Sequence, residues 1–96
     1  MPRFADISSD SADELALWDE LVRHQGETFT TAKGLPFTYI IRGNEIFVDR
    51  REKSITRATV RQAYRRVREG GVTGPKSLGV FGGSYLYSLF VAFHLL

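Results

Sequence analysis

An α+β fold in a single small domain, residues 1–96, follows from three features of the sequence. Apolar residues recur at three- and four-residue steps in two charged segments, one after Ser11 and one after Ser54. Between them, residues 37–50 alternate with a period of two around Gly43-Asn44. The chain then closes on SYLYSLFVAFHLL, which is apolar on most sides at helical spacing. A period of 3.6 marks amphipathic helices and a period of two marks strands with one buried face. A chain of 96 residues buries only about two-thirds of its surface on folding, so every apolar segment has to serve one core.

The first helix is predicted from a capping box, Ser11 followed by Glu14. Leu15, Trp18, Leu21 and Val22 then form one face as far as about His24, and Gly26 stops it. Its acids fall mainly in the first turn and on the opposite face, where they suit the helix dipole.

From Phe37 to Arg42 and from Glu45 to Arg50 the pattern predicts a hairpin closed by Gly43-Asn44, a dipeptide that supplies the positive φ of a primed turn. Pairing Arg42 with Glu45 sets Ile41 opposite Ile46, Tyr39 opposite Val48 and Phe37 opposite Arg50 on an apolar face. Ile40/Phe47 and Thr38/Asp49 lie on a half-exposed one. TFTT, residues 28–31, is the expected third strand, reached through a turn at Lys33-Gly34-Leu35-Pro36.

A basic helix over about 56–69 follows, capped by Ser54 or Thr56 and ended by Gly70-Gly71. Val60, Ala63, Tyr64 and Val67 share its core face. Arg57, Arg61, Arg65 and Arg68 fall within about 80° of one another on a neighbouring face and form a continuous stripe. The stretch from Gly70 to Gly83 is a glycine-rich loop, expected to take special backbone conformations or to approach something closely. Ser84 caps the last helix, in which Tyr85, Leu86, Leu89, Phe90, Phe93 and Leu96 make an apolar stripe that Val91 and Leu95 widen. Such a helix is either central to the core or half of an interface, so residues 85–96 also offer a homodimer surface.

Composition excludes several functions. With no cysteine there is no disulfide, thiolate nucleophile or cysteine zinc site. His24 and His94 stand alone without neighbouring ligands, and no serine sits in a G-x-S-x-G elbow. GVTGPKS, residues 71–77, follows a helix rather than a strand, and Pro75 removes an amide that a phosphate loop needs. No enzyme activity and no cofactor are expected. The start MPRFADISSDSADE lacks the apolar run of a signal peptide, which leaves the cytoplasm as the expected location. The closing run has about a dozen apolar residues against the ~20 of a spanning helix, so no membrane contact is expected.

Charge is distributed unevenly. Residues 1–27 carry seven carboxylates against Arg3 and Arg23. Residues 42–76 carry eight arginines and two lysines against four carboxylates. Arginine's planar fork suits phosphates and guanine edges, and a basic end of this kind attracts a polyanion.

The string ITRATVRQAYRRVREGGV, residues 55–72, resembles the recognition helix of GntR-family winged-helix regulators. That resemblance is confined to this helix. It implies entry into the major groove of DNA, with Thr56, Arg57, Thr59 and Arg61 facing bases and phosphates and Val60, Ala63 and Val67 facing the core. The expected function is therefore that of a small nucleic-acid-binding, DNA-directed accessory or regulatory protein. Its candidate footprint is Arg50, Arg51, Lys53, Thr56, Arg57, Thr59, Arg61, Arg65, Arg68 and Lys76. Lys76 would hold a backbone phosphate together with amides at Gly82 and Gly83. The alternative is a non-enzymatic protein-interaction module, self-associating through the last helix, in which the arginines face the acidic first helix.

Overall fold

The computed structural model describes the backbone of residues 2–96 and the side chains of residues 13–96. Helix α1 spans Pro2–Arg23, longer than the spacing after Ser11 predicts. Its backbone is already helical at Ser11, so the predicted capping box does not begin it; the Ser11 side chain lies outside the described residues. Proline is suited to the first helical position, where its missing N–H would lack a partner in any case. The acids at Asp13 and Glu14 are thus in mid-helix, not in a first turn.

Among the described residues of α1, Leu17, Trp18 and Leu21 are buried, while Leu15 and Val22 of the predicted stripe are exposed. Five large apolar residues from Leu15 to Val22 cover nearly half the helix circumference at about 100° per residue, and the packing partner decides which part is buried. The chosen centre brings Glu14, three, four and seven residues before Leu17, Trp18 and Leu21, onto the packed face.

The hairpin has the predicted register. Strands β3 (Tyr39–Arg42) and β4 (Glu45–Val48) pair Tyr39 with Val48, Ile40 with Phe47, Ile41 with Ile46 and Arg42 with Glu45. Gly43 takes a φ of 60° while Asn44 stays at negative φ, as in a turn that needs glycine only at its first central position. Tyr39, Ile46 and Val48 are buried and Ile40 is exposed, as the two faces predict.

The ladder is shorter than 37–42/45–50. Phe37 pairs with Phe29 instead of Arg50, in a separate two-stranded piece made of β1 (Phe29–Thr30) and β2 (Pro36–Phe37). Thr38 and Asp49 still meet, through the Asp49 amide to the Thr38 carbonyl at 3.0 Å and the Thr38 amide to the Asp49 carboxylate at 3.1 Å. The third strand of the hairpin sheet is β5 (Ile55–Thr56), which sets Ile55 against Ile46 and Thr56 against Glu45.

Thr56 then caps helix α2 (Arg57–Glu69), its hydroxyl accepting the Thr59 amide at 3.3 Å. Gly70 ends the helix at φ 89°. Val60, Ala63 and Tyr64 are buried and Val67 is packed against the core, as predicted.

The glycine-rich segment carries a 3-10 turn, Pro75–Leu78, anchored by buried Leu78. Helix α3 runs from Gly83 to Ala92. Its cap is Gly82 rather than Ser84, with no side-chain bond at its start. It stops before Phe93: His94 adopts φ 63°, with its amide on the Val91 carbonyl at 3.0 Å and the Leu95 amide on the Phe90 carbonyl at 2.8 Å. This closing pattern satisfies two carbonyls of the last turn. No helix among the described residues is long and apolar enough to cross a membrane.

The end of α1 is tied to the open edge of the three-stranded sheet. The Gly26 amide donates to the Tyr39 carbonyl at 2.8 Å, and the Ile41 amide donates to the Gln25 side chain at 2.9 Å. Covering an edge strand in this way removes a template for unwanted pairing. The Gln25 amide turns to the Val22 carbonyl, and the Tyr39 hydroxyl donates to the Leu21 carbonyl at 2.6 Å instead. Burial, reinforced by Glu27 and Glu20, holds the Tyr39 phenol well above its ordinary pKa, so it remains a donor. Tyr39→Phe leaves that carbonyl unpaired, and the expected loss is about 2 kcal/mol in chemical denaturation. A loss below about 0.5 kcal/mol would show that the Leu21 carbonyl finds another donor.

Candidate functional site

The arginine stripe of α2 packs alongside α1. Arg61 Nε lies 3.2 Å from one carboxylate oxygen of Glu14 and Arg65 Nε 3.7 Å from the other. Arg68 reaches Asp13 at 2.6 Å. The Arg57 guanidinium stands 4.8 Å over the Trp18 ring and donates to the Asn44 side chain at 3.3 Å. Glu14, its side chain 26% exposed at the edge of the packed face, is met there by Arg61 and Arg65, and an acid spaced at three, four and seven from apolar residues is the sequence signal of that pairing. These pairs remain open to solvent. Arg61, Arg65 and Arg68 keep side chains 49, 68 and 43% exposed, and pairs of that exposure are worth about 0–1 kcal/mol each.

Thr56 and Thr59, the two hydroxyl residues of the candidate footprint, are committed to the cap and to each other, with their oxygens 3.0 Å apart. Arg66 is outside the stripe and donates to the Ser77 carbonyl at 3.3 Å, fastening α2 to the 3-10 turn.

The remaining candidates lie at the entrance to α2 and beyond its exit. Arg50 donates from Nε to the Pro36 carbonyl. Arg51 stands 5.9 Å from the rings of both Phe81 and Tyr85, and the Lys53 ammonium 5.0 Å from that of Phe81. Arg51 and Lys76, 25 residues apart in the chain, line the same cleft, joined by Lys33. Among the described residues no carboxylate lies within ion-pair distance of Lys33, Arg50, Arg51, Lys53 or Lys76. Glu52, between Arg51 and Lys53, is exposed and does not line the cleft.

No family model, curated protein or solved structure matches this chain. Function is therefore argued from the geometry and charge of the site.

Two features were out of reach of sequence reasoning. Lys33 and Phe81 gave no periodic or motif signal, and they join the basic surface only because the 31–35 turn and the 73–85 segment fold against Arg51. Of the Gly82 and Gly83 amides expected to help hold a phosphate, one is engaged within the chain. The Gly83 amide donates to the Val80 carbonyl at 3.2 Å, and a Cβ on Gly82 would lie 2.4 Å from Ile55. That pair of glycines serves close packing. The apolar stripe of 85–96 likewise has its partner within the chain: Tyr85, Leu86, Leu89 and Phe90 are core residues, and Val91 and Leu96 are the exposed apolar ones.

Proposed function

We propose that the protein is a small, non-enzymatic nucleic-acid-binding protein, with DNA as the expected polyanion. It contacts backbone phosphates through the basic surface that runs from Arg50, Arg51 and Lys53 to Lys76. The observation that carries this reading is the partition of charge. The stripe of α2 is shared with Asp13 and Glu14, whereas Arg50, Arg51 and Lys53 have aromatic or carbonyl neighbours and, like Lys76, no carboxylate within ion-pair distance among the described residues. Basic side chains interleaved with aromatic rings are the composition of surfaces that track a nucleic-acid backbone.

The base-facing role implied for Thr56, Arg57, Thr59 and Arg61 by the GntR resemblance would require α2 to give up its contacts with Glu14, Trp18 and its own cap. Phosphate contact at the Arg51 surface requires no such loss. Arg57, Arg61, Arg65 and Arg68, which stay part-exposed, then add attraction at longer range. Self-association through 85–96 is the weaker reading, because the helix face that motivated it is filled by the core.

The test is a titration of mixed-sequence duplex and of single-stranded DNA at two salt concentrations. It compares the wild type, a triple Arg51→Ala, Lys53→Ala, Lys76→Ala variant, and a triple Arg57→Ala, Arg61→Ala, Arg65→Ala variant. Wild-type affinity should fall steeply with salt, and the first variant should flatten the logarithmic slope by about 0.9 per duplex phosphate contact removed. Absence of binding by the wild type at low salt overturns the reading. Equal binding by the first variant, with loss in a folded second variant, moves the footprint to the stripe.

A further inference from the structure

The basic surface contains a cleft of about 790 Å³ between the 31–35 turn, Arg51, the 73–77 segment and the start of α3. That volume is within the range of sites that take small organic ligands, about 300–1,000 Å³. Its lining divides into two kinds of surface. Lys33, Arg51 and Lys76 bring three cations into it with no carboxylate among the described lining residues. Leu35, Pro75 and Tyr85 supply apolar and aromatic wall.

Tyr85 is the best-defined of these groups. It is 6% exposed, and its ring is held edge-on to that of Phe37 at 5.0 Å. Its hydroxyl has no hydrogen-bond partner among the described residues, and no polar side-chain atom is sealed from solvent without one. The hydroxyl of this largely buried side chain thus keeps some access to solvent. By contrast the Ser77 hydroxyl is fully used, accepting the Thr73 and Gly74 amides at 3.0 and 3.1 Å and donating to the Gly74 carbonyl at 2.7 Å. The loop that presents Lys76 is thereby held in one shape. Arg66, on the Ser77 carbonyl, braces it from α2. A shaped wall with an anchored loop needs little ordering when a ligand enters.

We propose that this cleft binds a nucleotide-type organic phosphate, its phosphoryl group among Lys33, Arg51 and Lys76 and its ring-bearing part against Leu35, Pro75 and Tyr85. Three cations on one cleft with no acid among its described lining residues favour an anion there, and arginine with lysine is the pairing that suits phosphoryl oxygens. The apolar wall distinguishes a ring-bearing phosphate from inorganic phosphate, and the Tyr85 hydroxyl is a donor for its polar edge. A free mononucleotide and the phosphorylated end of a nucleic-acid strand present this same chemistry. Because Arg51 and Lys76 are also the phosphate contacts proposed above, the strand end as a source rests on that reading.

The experiment is an amide-resonance titration of the full chain with adenosine 5′-monophosphate, adenosine, inorganic phosphate, and a short single strand with and without a 5′-phosphate. Adenosine 5′-monophosphate should shift resonances of residues 31–35, 51, 73–77 and 84–85. Adenosine and inorganic phosphate should each bind about tenfold or more weakly, as expected when charge-assisted contacts or the ring surface are lost. Lys33→Ala with Lys76→Ala, both at exposed or part-exposed positions, should weaken the monophosphate about tenfold with the spectrum otherwise preserved. Tyr85→Phe, which keeps the ring, should weaken it less.

No shift at millimolar monophosphate or 5′-phosphorylated strand overturns the site. So does binding that the lysine variant leaves unchanged, and equal binding of inorganic phosphate overturns the ring-bearing assignment. Binding of the monophosphate without affinity for any strand or duplex supports the site and overturns the nucleic-acid reading. Duplex binding with no response to monophosphate or to a 5′-phosphate does the reverse.

Discussion

Gly82→Ala is expected to destabilise the protein by roughly 3 kcal/mol, from the sum of backbone strain and overpacking. Gly82 sits at φ 76°, a conformation that costs a side-chain-bearing residue about 1–2 kcal/mol. A Cβ there would stand 2.4 and 2.8 Å from the Cδ1 and Cγ1 atoms of Ile55, a residue buried at the junction of β5 and α3. Ile55 pairs with Ile46 inside the sheet, so it has little room to retreat. Gly79→Ala is the matched control: its φ is 65°, but nothing lies within 4 Å of the added carbon. The control should lose only the backbone part, about 1 kcal/mol. Urea unfolding followed by circular dichroism reads both values. Equal losses in the two variants would mean that α3 shifts away from Ile55 at no cost.

Phe90→Ala should be at least as damaging, at about 3–5 kcal/mol. The side chain is fully buried, and α3 places Leu86 and Leu89 beside it with no exposure either. Removing the ring leaves a cavity in the core that the described residues share, where the surrounding elements cannot all collapse into it. The same substitution separates the two meanings of an apolar last helix. As a core residue, Phe90 should lower the unfolding midpoint without making it depend on protein concentration. A small change in stability with a concentration-dependent midpoint would instead place Phe90 in a dimer interface. Val91→Ala, at an exposed position of the same helix, should change stability by no more than about 0.5 kcal/mol.

Much of the local structure was legible in the sequence. The hairpin register follows from a period of two joined to a turn dipeptide, since a one-residue slip would move Tyr39, Ile46 and Val48 to the wrong face. The cap at Thr56, the stop at Gly70 and the core face at Val60 and Ala63 follow from helix-end chemistry and 3.6-residue spacing. The start of α1 was misplaced because Ser11 and Glu14 form an acceptable cap pattern inside a helix that Pro2 begins. β5 escaped notice because two residues carry no period, and Thr56 serves both as a strand residue and as a cap.

The candidate footprint was legible as a composition and not as a surface. That arginines at 57, 61, 65 and 68 share one helix face follows from helical geometry. Whether that face meets solvent, DNA or α1 depends on which side of Leu15–Val22 is buried, a choice made by the sheet and α2 together. The sequence alone determined the elements, the hairpin register, the core face of α2 and the separation of acidic and basic halves, because these follow from spacings of a few residues. Only the tertiary structure decided that Glu14 and Asp13 share the stripe, that Gly82 lies against Ile55, and that Lys33, Arg51 and Lys76 converge on one cleft. Those contacts join residues tens of positions apart, and they are selected by packing the whole core at once rather than by any local pattern.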